Sequence, residues 1–329
     1  MQPAPENNFS VPLLPPPRPL LLRANDKSKA RRLTVRKLCP TLLGISLAVT
    51  GFAPAMAQDA ASDASAMPKV LHITREFIKP GKRGSMHDKS ETAFVQASMR
   101  AKYPTHYFAV NSMSGSSRAL YMFGFDSFAA VQKDNEMTSA NESLAAAYDK
   151  AELADGDLLS GIDDSYWVYN SELSYHAKHD PARLRYLEIS SYHVKPGHSG
   201  EWEEIVKMVQ AGYDKAGTSA HWAIYDLAFG GEGGMHLVLT GRHSLDEIDQ
   251  GFAEDKKFGA AVGEDGMKKL EALEASAIDS SSHQLLAVNP RQSYPEDSWV
   301  KADPAFWKPK PMSPGAEKKV SMPEKHTSQ

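Results

Sequence analysis

Two five-residue runs in this chain begin with histidine and continue in aromatic and aliphatic residues: His106-Tyr107-Phe108-Ala109-Val110 and His221-Trp222-Ala223-Ile224-Tyr225. A neutral imidazole at the mouth of a strand can act as a general base on an activated substrate. It can also stand as an axial ligand to iron. His106 and His221 are therefore the candidate catalytic residues, weighed against a plainer role as hydrogen-bonded strand-end histidines. The aromatic neighbours Tyr107, Trp222 and Tyr225 are candidates for holding a small apolar or aromatic molecule. His72, His193 and His236 also fall in strand-like runs, and His193 and His236 join the ligand-binding candidates. Asn170 and Asn289 complete that set. Each is followed five residues later by a tyrosine (Tyr175, Tyr294), a pattern that equally suits amides bonded to strand-end backbone.

Other chemistries lack their residues. The Gly230-Gly231-Glu232-Gly233-Gly234 run joins two strands, whereas a phosphate cradle needs a strand before it and a helix after it. Gly-x-Ser-x-Gly, His-Glu-x-x-His and a calcium-loop pattern do not occur. His176 and His179 have ligand-like spacing but sit at a strand end and linker, and no metal is expected there. The only cysteine is Cys39, in a segment expected to be removed, so the mature chain would have no disulfide and no thiol nucleophile.

The candidates must be positioned by elements, and these occur twice. Leu71, Ile73 and Phe77 alternate with polar residues, as in a half-buried strand. Lys79-Pro80-Gly81 ends the run. Ser85 and Asp88 suggest a capped helix start, with Met86, Ala93, Phe94 and Ala97 as its apolar stripe and Tyr103-Pro104 as its stop. Strands over 106–113 and 118–125, a helical zone from Ser127 interrupted near Met137-Thr138, and a strand over 165–169 follow. Lys195-Pro196-Gly197 repeats the turn 116 residues later, after Leu187 to Val194. The next helix carries Trp202, Ile205, Val206, Val209 and Tyr213 on one face and stops at Gly217. Strands over 221–225 and 235–240, a helix from Ser244-Leu245 and a strand over 285–289 complete the second copy. His193 and His236 face Phe77 and Leu120 in this alignment, an asymmetry that suits one working pocket and one structural copy.

Each copy reads β-α-β-β-α-β, the ferredoxin-like order. The organisation is an N-terminal extension and signal peptide (1–57), a linker (58–68), repeat 1 (69–176), a linker (177–184), repeat 2 (185–294) and a Pro/Lys-rich tail (295–329) in which Trp299, Phe306 and Trp307 are positioned to dock. Arg31, Arg32, Arg36 and Lys37, a short apolar core from Thr41 to Val49, and Ala55-Met56-Ala57 make a secretory signal cleaved after Ala57. The expected location is periplasmic or extracellular, with no membrane association after cleavage. Without residues 1–57 the chain carries 29 basic against 39 acidic side chains, a charge of −10. An acidic surface with no basic stripe argues against a nucleic-acid partner.

The Lys-Pro-Gly turns, and above all Leu187-Glu188-Ile189-Ser190-Ser191-Tyr192-His193-Val194-Lys195-Pro196-Gly197, resemble the dimeric α+β barrel superfamily and its NIPSNAP-type members. The resemblance spans 69–176 and 185–294. It implies an α+β fold in which two tandem ferredoxin-like units form an intramolecular pseudo-dimeric barrel. It implies a small-ligand-binding protein, with three alternatives of different kind. These are a cofactor-independent monooxygenase resembling the antibiotic-biosynthesis type, a haem-handling oxidoreductase, and a catalytically silent interaction module. No cofactor is required by the small-ligand-binding reading; haem belongs to the haem-handling alternative. A monomer or a homodimer fits the fold.

Overall fold

The computed structural model describes residues 66–308. The signal segment, Cys39, most of the 58–68 linker and the end of the tail lie outside them. Repeat 1 comprises β1 (Val70–Ile78), α1 (Ser85–Ala101), β2 (Tyr107–Ser112), β3 (Arg118–Phe125), α2 (Phe128–Ala140), α3 (Glu142–Asp155) and β4 (Leu159–Tyr175). Repeat 2 comprises β5 (Tyr186–Val194), α4 (Ser199–Ala216), β6 (Trp222–Phe229), β7 (Met235–Arg242), α5 (Asp246–Ala277) and β8 (Ile278–Val288). Two short helices, α6 (Asp297–Ala302) and α7 (Pro304–Trp307), follow. Among the described residues no helix is long and apolar enough to cross a membrane.

The eight strands close into one antiparallel barrel in the order β1-β3-β2-β8-β5-β7-β6-β4. Each repeat contributes a four-stranded sheet, and the last strand of each pairs with the second strand of the other. Closure removes the sheet edges that either repeat would otherwise expose. The architecture is thus the tandem α+β barrel that the resemblance implied.

Alternation along every strand divides the side chains into two cores. Leu71, Ile73, Val110, Leu120, Met122, Trp167, Leu187, Ile189, Leu237 and Leu286 fill the lumen. The outer faces lie under the helices: Tyr107, Ala109 and Tyr121 under α1 and α3 in repeat 1, and Tyr192, Trp222 and Ile224 under α4 and α5 in repeat 2. Trp299 and Trp307 pack onto the lumen cluster at the end where β5 begins. Arg185 fixes them there: it pairs with Asp303, and its guanidinium lies 3.8 Å from the centre of the Phe306 ring. The Trp307 indole N–H also donates to the Ala182 carbonyl at 2.8 Å.

Four elements differ from the sequence expectation. β4 and β8 are much longer than the five residues expected of each, because pairing with β1 and β5 holds the polar stretches Leu159–Asp164 and Ile278–Ser282 extended. The second helical zone of repeat 1 breaks at Asn141, not near Met137, and the Asn141 side chain caps α3 by accepting from the Leu144 N–H. The N-cap of α1 is Gly84, with no side-chain cap, so Ser85 and Asp88 do not form a capping box. The face of α1 also differs: Met86 is exposed, and the residues turned inward are His87, Glu91, Val95, Ala97 and Ser98.

Candidate functional site

The predicted site residues are not gathered into one place. His221 lies just before β6, its ring nitrogens 3.2 Å from the Ser219 carbonyl oxygen and 3.1 Å from that of Gly241. His106 precedes β2, stacks on Tyr294 at 4.5 Å between ring centres, and has a buried Nδ1 with no hydrogen-bond partner. Neither lines the lumen. Tyr107 packs in the outer layer of repeat 1 against Tyr121, Phe123 and Tyr294. Trp222 is in the outer layer of repeat 2 and donates to the Leu173 carbonyl at 3.0 Å. His236 sits in that same layer, stacked on Trp202, with Nδ1 2.6 Å from Asp226 Oδ1. Asn170 donates to the other oxygen of Asp226 at 2.9 Å. Asn289 follows β8 and donates to Asp88 at 2.7 Å, so both asparagines are tied into structural hydrogen bonds. His72 is sandwiched between Tyr166 and Phe123 and reaches Asp164 at 2.9 Å. That contact is the first cause of the lowered Asp164 pKa. Tyr225 alone among the predicted aromatics is in the lumen, its hydroxyl donating to the Pro68 carbonyl at 3.0 Å. His193 lies at the opposite mouth, between the Gly233 carbonyl and Asp279.

That mouth opens on a cavity of about 190 Å³. Its floor is Ile73, Leu120, Trp167, Ile189 and Leu237, and its polar rim is Arg75, Arg118, Ser191, Ser282 and Gln284. The Trp167 indole N–H is satisfied by Ser165 at 2.8 Å, so the floor offers hydrocarbon and ring faces. Arg75 has Asp163 at 3.5 Å. Arg118 packs near the Phe77 ring and has a buried Nε with no acceptor. Burial, and then the like charge of Arg75, pull the Arg118 pKa below its usual range. The arrangement sets guanidinium donors above an apolar floor, which is the chemistry that can receive a carboxylate on a hydrocarbon body.

Haem does not suit these residues. The cavity lining contains no histidine or cysteine to serve as an axial ligand. The two layers between sheet and helices are filled by side chains of the protein itself.

A second constellation was not legible as a site in the sequence. Glu76 on β1, His87 and Glu91 on α1, and Asp155 at the end of α3 bring their ligand-capable atoms within 4.8 Å of one another. All four residues are buried, none more than 5% exposed. His87 Nε2 lies 2.9 Å from Glu76, 3.8 Å from Glu91 and 3.9 Å from Asp155. Tyr121 donates to Glu76 at 3.1 Å, and the Gln292 amide lies 3.0 Å from His87 Nδ1. Burial raises the Glu76 pKa, and burial together with the charges of Glu76 and Asp155 pushes Glu91 up to about 10. The signal in the sequence was the i, i+4 pair His87 and Glu91, in phase with Val95 and Ser98 on a single helix face.

No family model matches the sequence, and no curated protein matches it. Solved structures show similarity over most of their length. A proposed monooxygenase from Fusobacterium nucleatum subsp. nucleatum is 11% identical over 68% of this chain and 93% of that one, with a TM-score of 0.46. An anthrone oxidase-like protein is 14% identical over 70% and 96%, with a TM-score of 0.45. A variant chlorite dismutase from Candidatus Nitrospira defluvii is 6% identical over 72% and 96%, with a TM-score of 0.42. Likeness at this level concerns the course of the chain and leaves the chemistry to the residues.

Proposed function

We propose that this protein binds a small anionic molecule with an aromatic or aliphatic body in the lumen of its barrel, after export directed by residues 1–57. The observation that supports this most directly is the Arg118 guanidinium. It is half-buried over an apolar floor with an Nε that no protein group accepts from. A buried donor without an acceptor costs about 1–3 kcal/mol, which a bound carboxylate would relieve. At about 190 Å³ the cavity falls below the roughly 300–1,000 Å³ of sites for drug-sized ligands, so the ligand is small. Ser191, Ser282 and Gln284 supply further polar contacts at the rim. Because one chain closes the barrel, a monomer is sufficient to form the site.

Trp167 lies in the cavity floor and serves as the reporter. Titration with benzoate should change the tryptophan fluorescence at millimolar concentration or below, and benzamide, without the charge, should bind at least about tenfold more weakly. Arg118→Met should abolish the preference for the anion. Equal response to benzoate and benzamide, or a preference unaffected by Arg118→Met, would sink the assignment.

A further inference from the structure

We infer that Glu76, His87, Glu91 and Asp155 form a binding site for one divalent transition-metal ion, of the Mn2+, Fe2+ or Zn2+ kind. The four side chains come from three elements and converge at the middle of the repeat 1 outer layer. One imidazole with three carboxylates is a mixed N/O donor set. The imidazole favours Zn2+ and Fe2+, the oxygens Mn2+, and a soft ion has no thiolate here to prefer.

Burial of acids alone would not make a site; the orphaned atoms point to a ligand. Both carboxylate oxygens of Asp155 and one of Glu91 have no hydrogen-bond partner, although Asp155 is only 2% exposed. Asp155 and Glu91 are close enough to bond each other only if one of them carries a proton. No lysine or arginine is paired with any of the three acids or the imidazole among the described contacts. Ionised, the set holds up to three negative charges in a dry place, which requires protons or a cation. A cation within reach of all four ligand atoms supplies the charge that the protein omits.

Gln292, itself fully buried, turns its amide nitrogen to both Asp88 and Nδ1 of His87, an arrangement that keeps the ring proton on Nε2 towards Glu76 when no ion is bound. Binding of an ion at Nε2 displaces that proton and requires the Gln292 amide to turn its oxygen to an Nδ1–H. Tyr121 positions Glu76 by donating to it.

The fold does not need acids at these positions. Alignment of the repeats through the paired strand ends (Ile78 with Leu159, Val194 with Ile278) and the left-handed helix caps (Lys102, Gly217) sets Tyr192, Trp202 and Val206 opposite Glu76, His87 and Glu91. Those three are buried and pack together with no charge among them.

The test is made on the full mature chain, refolded from denaturant with Mn2+ or Zn2+ alone and then freed of excess ion. Elemental analysis should find one ion per chain, and the six-line EPR signal of free Mn2+ should vanish up to one equivalent. Asp155→Asn and Glu91→Gln keep shape and remove charge; each should weaken binding by more than the roughly 10–100-fold expected for an outer-partner change such as Gln292→Leu. Absence of bound ion after refolding, with no effect of either metal on the melting temperature, would show a cluster held by protons alone and overturn the site. Stoichiometric binding that survives both isosteric variants would place the ion elsewhere and overturn it equally. The Mn2+ measurement on the unaltered chain decides the matter even if one variant fails to fold.

Discussion

The layer between sheet and helices is built twice in this molecule, and the two versions carry opposite chemistry. In repeat 2, Trp202 stacks near Tyr192 and His236, and Tyr213, Trp222 and Phe258 complete a continuous aromatic core. Its buried acid, Asp255, has a donor in Tyr213 at 2.6 Å. In repeat 1 the equivalent centre holds Glu76, His87 and Glu91, with Asp155 standing where repeat 2 has the half-buried Glu274. The same backbone therefore accepts either hydrocarbon or a charged cluster. Burying charge instead of hydrocarbon sacrifices stability, so the polar version requires a reason beyond folding.

The largest effect should come from the apolar side. Trp202→Ala removes a buried indole from the centre of repeat 2, where it is 2% exposed. A loss of about 3–5 kcal/mol is expected from chemical denaturation, the range for such truncations. A loss below about 1 kcal/mol would mean that this layer is loosely packed and that the contrast between the repeats is overstated.

Next is a change of the opposite sign. Glu91 has a carboxyl pushed up to about 10 in the folded chain, chiefly by burial. A carboxyl whose folded pKa is raised binds its proton more tightly than in the unfolded chain. Its contribution is therefore fully present at low pH and declines as pH rises from its ordinary value near 4.5 towards 10. Without metal, Glu91→Gln should stabilise the protein by about 1–4 kcal/mol at pH 8, because glutamine does not have to take up a proton on folding as the buried carboxyl does. Glu274 provides the internal comparison, its carboxyl raised only to about 7 by burial and then by Glu271. Glu274→Gln should flatten the melting temperature between about pH 4.5 and 7 and leave the slope above pH 7 intact, whereas Glu91→Gln should remove that upper slope. If the two variants give the same pH profile, the acidic cluster has no special electrostatics.

This contrast also explains what could be read from the residues and what could not. Period-two alternation and the Lys-Pro-Gly turns placed β1, β3 and β5, because half-buried strands must alternate. The resemblance to the dimeric α+β barrels then implied closure, and each four-stranded sheet does have its edges covered by the other. The lower halves of β4 and β8 were not legible: Gly161, Asp163 and Asp164, or Asp279 and Ser280, have poor strand propensity, and their extension is imposed by the strand alongside. The buried face of α1 was hidden for a related reason. Pattern reading assigns Met86 inward and leaves His87 and Glu91 off the apolar stripe, and only the position of Asp155 and Glu76 in three dimensions shows them turned in. Lumen residues Arg75 and Arg118 share the inward face of their strands with Ile73 and Leu120, a place that alternation allows but that their charge does not announce.

The smallest effect concerns how the first helix of each repeat ends. Both end on a left-handed residue: Gly217 with φ 62° after α4, and Lys102 with φ 48° after α1. A residue with a Cβ pays roughly 1–2 kcal/mol in this conformation, and glycine does not. Glycine, however, loses more backbone freedom on folding, by roughly 0.5–1 kcal/mol. Lys102→Gly should therefore stabilise the chain by about 0.5–1 kcal/mol, and Gly217→Ala should cost about 1 kcal/mol, both read from denaturant midpoints at constant slope. Lys102 is exposed, and its amide bonds are made by backbone to Met99 and Ser98, so the substitution changes the conformational term and little else. Should Lys102→Gly prove neutral while Gly217→Ala is costly, the two caps would differ in strain despite similar angles. The end of α1, one turn from Ser98 and its bond to Tyr148, would then be held by its packing on α3 and not by its cap.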